Sequence, residues 1–122
     1  MKTSYFAKSA KNPNAVAIVC YPPKWYKGKV CTKLAPKGWF LQKYKQDGDE
    51  QYYVKQFQEE VLDKLDANQV YTELGENAVL LCYEGSGKFC HRRLVATWFE
   101  EKLGVEVPEL DFTPKIIEED LI

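Results

Sequence analysis

Ala78-Val79-Leu80-Leu81-Cys82-Tyr83-Glu84-Gly85-Ser86-Gly87-Lys88-Phe89-Cys90-His91-Arg92-Arg93 is the stretch that decides how this chain folds. It opens with AVLLCY, a continuous apolar run with no polar alternation. A strand buried on both faces of a parallel sheet reads this way. A tight glycine loop, Glu84 to Lys88, follows it. From Cys90 to Leu103, Leu94, Val95, Trp98, Phe99 and Leu103 recur as one apolar stripe, and Gly104 closes the segment. That is the pattern of an amphipathic helix with a glycine C-cap. Strand, short loop and helix in this order form half of a βαβ unit.

Working outward, Ala15 to Tyr21 (AVAIVCY) is a second doubly buried strand, and Thr3 to Ala7 a short first one. Pro22-Pro23 stops the second strand. The next stretch, PPKWYKGKVCTKLAPKG to Gly38, has no sustained period and reads as a long loop, a kind that tends to be functional. Trp39 to Lys45 fits a short helix or an extended segment equally. Asp47 and Glu50 have capping-box spacing for a helix that buries Val54, Phe57, Val61 and Leu65. Asp66 caps a further helix with Gln69 at the matching position, and Gly75 ends it. Val105 to Val107 suits a last strand. Strands alternating with helices imply a three-layer α/β domain with a small, mostly parallel sheet over residues 1–110, followed by an acidic tail, 111–122.

The 122 residues amount to one ordinary domain. No run reaches the roughly 18 apolar residues of a membrane span, and the polar, lysine-rich start lacks a signal-peptide core. A cytoplasmic protein without membrane partners is the expectation. Cys20, Cys31, Cys82 and Cys90 are then expected as reduced thiols. The net charge of −1 conceals a division. Residues 1–46 hold ten lysines and no acid, whereas the remainder holds seven basic residues and all 18 acids. Such asymmetry points either to a charged partner or to neutralisation within the fold.

In parallel α/β sheets, ligands bind beyond the carboxyl ends of the strands. There, the loop Gly85, Ser86, Gly87 and Lys88 together with the helix N-terminus would present N–H groups to an anion. Arg92 could grip phosphate through two parallel hydrogen bonds, with Arg93 nearby. The stretch is neither a Walker loop nor a phosphatase loop, since its glycine spacing and Lys88 depart from both. Cys90 beside His91 could serve as a thiolate nucleophile with a base, although a small buried packing residue reads the same way. Glu84 could act as a general base, or as a nucleophile toward a sugar carbon, or simply pair with Arg92 or Arg93. Tyr21, Trp25 and Cys82 complete the candidate ligand-binding set. Trp25, Tyr26, Trp39, Phe40 and Tyr44 lie interleaved with lysines, which suits phosphates and bases.

The leading expectation is therefore a site for a phosphate-bearing ligand: a nucleotide, a nucleotide-sugar or a nucleic-acid end. The alternatives are a non-catalytic module that sequesters nucleotides, binds nucleic acid or binds a partner, and a metal protein. In the last, Cys82, Cys90 and His91 meet at one strand end, with Cys20 or Cys31 as a fourth ligand. No CxxC pair marks such a site.

Leu80-Leu81-Cys82-Tyr83-Glu84, a short loop and Cys90-His91-Arg92 resemble the signature of the domain-of-unknown-function 488 family, known from bacteria, archaea and phages. Thr3-Ser4, Leu34-Ala35-Pro36, Tyr44-Lys45, the Tyr53-to-Leu65 helix and the Trp98 helix fit its order, so the resemblance spans residues 3 to about 110. It implies a Rossmann-like α/β fold and carries no settled activity or cofactor.

Overall fold

The computed structural model describes residues 1–85 and 89–110. Four strands, β1 (Lys2–Tyr5), β2 (Ala15–Ala17), β3 (Lys29–Val30) and β4 (Val79–Cys82), pair in the order β1-β4-β2-β3, every neighbouring pair parallel. The strand formed last in the chain therefore lies between the first two. The register places Tyr5 opposite Cys82 and Ala17 opposite Leu81, so the carboxyl ends of β1, β4 and β2 share one edge.

Side-chain alternation divides the core into two layers. Val16, Ile18 and Leu80 face α2 (Gly38–Asp47), α3 (Glu50–Glu60), α4 (Ala67–Leu74) and α5 (His91–Leu103), and pack with Phe40, Phe57, Val70, Val95 and Phe99. Ala15, Ala17, Val79 and Leu81 face the other way, toward Phe6 of α1 (Phe6–Ser9) and Tyr26 of the long loop. The third layer of this Rossmann-like domain is thus thin, a four-residue helix and a loop. The small side chains of Ala15 and Ala17 suit a covering element that lies close to the sheet.

Several local expectations are refined by the structure. The Trp39-to-Lys45 region is helical and belongs to α2. Asp47 ends α2 rather than starting α3, because Gly48 adopts φ 66° and closes α2 with a left-handed cap. Asp49 caps α3 instead, accepting from the Tyr52 N–H at 3.1 Å. On this helix Tyr53, not Val54, faces the core beside Phe57. Asp66 caps α4 as its spacing predicts, accepting from the Gln69 N–H. Replacing either capping aspartate with alanine removes one side-chain acceptor and should cost about 1 kcal/mol in urea denaturation. Val105–Val107 forms no strand; only a bridge between Thr3 and Glu109 forms nearby. Within the long loop, Lys29 and Val30 add a two-residue edge strand because Ala17 has a free side to pair with.

Candidate functional site

At the carboxyl edge of the sheet, the ends of β2 and β4, the start of α5 and one side of α2 enclose a cleft of about 560 Å³. Cys20 and Tyr21 follow β2 into it, and Cys82, Tyr83 and Glu84 enter from β4. Cys90 and His91 close it from α5, with Tyr44, Lys45, Tyr53 and Phe89 on the remaining side. The aromatic wall is continuous: Tyr44 lies 5.3 Å from Tyr53 and 5.2 Å from Phe89, centroid to centroid. The Tyr83 hydroxyl donates to the Tyr21 carbonyl, fastening the two strand-end loops together across the mouth.

Arg92 does not grip an external anion as its sequence position suggests. It is 1% exposed, and all five of its N–H donors are engaged within the chain. Nε and Nη2 form a fork on the Glu109 carboxylate at 3.0 and 2.7 Å. Nη1 donates to Cys82 Sγ at 2.9 Å and to the Glu84 carbonyl, and Nη2 also donates to the Gly85 carbonyl at 3.2 Å. Arg92 is therefore a positioning residue: it holds the loop after β4 so that the Glu84 side chain stays exposed beside the cleft. Arg93 is likewise occupied elsewhere, donating to Thr3 Oγ1 and the Val107 carbonyl, both at 2.8 Å. The expected pairing of Glu84 with either arginine does not form; its carbonyl, not its carboxylate, meets Arg92. Trp25 packs edge-on against Phe6 on the opposite face of the sheet, away from the cleft. Ser86, Gly87 and Lys88 lie outside the described residues, while Tyr21, Cys82, Glu84, Cys90 and His91 converge as expected.

His91 is buried, and its Nε2 lies 2.6 Å from the Ile18 carbonyl. A carbonyl can only accept, so Nε2 carries the hydrogen and Nδ1 keeps a lone pair. Nδ1 faces Cys90 Sγ at 3.7 Å. Burial holds the ring neutral, pushing its pKa down to about 4, and the Arg92 charge acts in the same direction against the Ile18 hydrogen bond. Burial also raises the Tyr53 and Tyr44 hydroxyls, with the Glu84 charge adding to both. These side chains remain neutral phenols.

Cys82 and Cys90 are joined as a disulfide, with Cα atoms 7.2 Å apart, which corrects the expectation of four reduced thiols. Topology brings the pair together: the loop returns α5 to the end of the strand it left. Cys20 and Cys31 are free. Most of the N-terminal lysines play no part in the cleft; Lys33 pairs with Glu73 and Lys43 with Asp47.

A protein-family profile described as "Active DUF488-N3 subclade" matches residues 7–103. The chain belongs to this family. The match takes in the cleft's strand ends, the aromatic α2 side and the whole of α5. No curated protein and no solved structure matches this DUF488-N3 chain. Glu109, the carboxylate that orients Arg92, lies beyond the matched region of the DUF488-N3 profile. Nothing in an acid-rich terminal stretch marked it in the sequence.

Proposed function

We propose that the cleft binds a phosphate-bearing ligand of nucleotide size and that Glu84 is placed to act on it. The observation that carries this reading is the cleft itself. It lies beyond the carboxyl ends of two parallel strands, where α/β folds take their ligands, and its volume of about 560 Å³ suits a mononucleotide. Tyr44, Tyr53 and Phe89 offer flat faces to a base or sugar ring. Lys45 and the N-terminus of the 13-residue α5, whose N-cap Cys90 makes no side-chain capping bond, favour negative charge. Glu84 supplies an exposed carboxylate at the mouth, suited to proton abstraction or to attack on a sugar carbon. The word "active" in the family's description supports a working site rather than a sequestering module.

Calorimetric titration with matched nucleosides, nucleoside monophosphates and nucleotide-sugars tests the reading. Phosphate-bearing ligands should bind at least tenfold more tightly than their nucleosides. Tyr44→Ala and Lys45→Ala should each weaken binding by about tenfold, a loss of about 1.4 kcal/mol. Equal affinity for nucleosides, or no binding by any of the panel at low salt, sinks it.

A further inference from the structure

The geometry points to a metal centre for a zinc-class divalent cation, formed by Cys82 Sγ, Cys90 Sγ and His91 Nδ1 when the two cysteines are dithiols. This site goes beyond the ligand reading above and stands whether or not the cleft takes a phosphate.

The three ligand atoms all lie within 4.8 Å of one another, and all three residues are buried. Two thiolates and one imidazole with an open fourth position is a donor set zinc uses in catalytic sites. The spacing fits. Zinc–sulfur and zinc–nitrogen bonds at a tetrahedral angle separate sulfur from nitrogen by about 3.6 Å, and Cys90 Sγ lies 3.7 Å from His91 Nδ1. Two sulfurs on one zinc lie about 3.8 Å apart by the same construction. The 7.2 Å between the Cα atoms of Cys82 and Cys90 is wider than most disulfides require and leaves room for that separation.

The surroundings match what metal ligands need. A ligating histidine usually donates its other ring N–H to a backbone carbonyl or carboxylate, which fixes the tautomer. His91 does so through Nε2 to Ile18 O, leaving the Nδ1 lone pair directed at the cysteines. Arg92 Nη1 donates to Cys82 Sγ at 2.9 Å, a bond that favours the thiolate. The Arg92 charge does not repel the cation unopposed, because Glu109 forks onto it. Two thiolates then balance a divalent ion. All three ligands line the cleft, so the fourth position opens toward Glu84 and toward any ligand bound there.

Loading requires reduction of the disulfide. A thiol or phosphine reductant supplies two electrons, two protons add to the sulfurs, and the reductant is oxidised. Binding the cation then releases those two protons. The disulfide form has no thiolate to offer and binds no metal, so the two states exclude each other.

The full chain, reduced with a phosphine, stripped with a chelator and kept anaerobic, is titrated with Co²⁺. One equivalent should develop the intense visible bands of a tetrahedral site and a near-ultraviolet thiolate-to-cobalt band, and Zn²⁺ should bleach both. Cys82→Ser and Cys90→Ser should each halve the thiolate band and weaken Co²⁺ by 100-fold or more, while Cys20→Ser and Cys31→Ser should leave the spectrum unchanged. Circular dichroism of each variant confirms that it is folded. Absence of the bands in the folded, reduced protein overturns the site, as does an unchanged spectrum in folded Cys82→Ser or Cys90→Ser. Equal Co²⁺ binding by the oxidised chain also overturns it. The titration contains no nucleotide, so its failure leaves the ligand reading untouched.

Discussion

Arg92→Ala should unfold in urea with a loss of about 3–5 kcal/mol, the usual effect of breaking a buried ion pair. The substitution removes five hydrogen bonds and takes the cation from a Glu109 side chain that is only 11% exposed. For a domain this size the melting temperature should fall by roughly 10–20 °C. Arg92→Lys should recover little of this, because an ammonium cannot reproduce the fork on Glu109 while also reaching Cys82, Glu84 and Gly85. The double variant Arg92→Met, Glu109→Leu should lose less than Arg92→Ala alone, since neither charge is then stranded. An Arg92→Ala protein melting within about 4 °C of wild type, roughly what 1 kcal/mol produces in a domain this size, would show that the clasp is not holding the fold.

Phe57→Ala is the second large effect. The ring is fully buried and joins three elements: it lies parallel to Tyr53 at 6.1 Å, edge-on to Phe40 at 6.5 Å and tilted toward His91 at 5.5 Å. Truncation leaves a cavity between α2, α3 and α5 directly behind the cleft, at a cost of about 3–5 kcal/mol. Phe57→Leu retains most of the volume and should cost less than half as much in the same denaturation series. The two losses distinguish packing from a role of the ring in ligand binding: a purely packing Phe57 predicts that folded Phe57→Leu binds ligand as wild type does.

The two buried strands and α5 were legible because each signal is local. The AVAIV and AVLLC parts of the two runs call for cover on both faces and receive it, and the Leu94-to-Leu103 stripe has one period. Boundaries shifted where two local signals competed. Asp47 and Asp49 both qualify as caps, and Gly48 between them, free to adopt positive φ, decides in favour of Asp49. The convergence of Cys82, Glu84, Cys90 and His91 was also legible, because a strand–loop–helix returns its helix start to its strand end. The direction of Arg92 was not. An arginine in the first turn of a helix reads as an anion ligand only until a distant carboxylate claims it, and Glu109 reaches it through a bridge to Thr3 from the far end of the chain. The disulfide was hidden for a different reason: the expectation of reduced thiols rested on the polar start of the chain, and the closeness of two cysteines does not encode their oxidation state.

The strand order also has a consequence for how the chain assembles. β1 and β2 are not neighbours in the sheet; β2 has the short β3 on its other side, but only β4 joins β1 to β2, and it emerges from the ribosome more than 60 residues after β2. Until then β1 and β2 each keep an open edge toward the missing strand. Contacts of such long range slow the search for the native state, and exposed edges invite pairing with other chains. Insertion of that single central strand joins the sheet and carries Cys82, Tyr83 and Glu84 to the cleft, so closing the sheet and completing this side of the site are the same step.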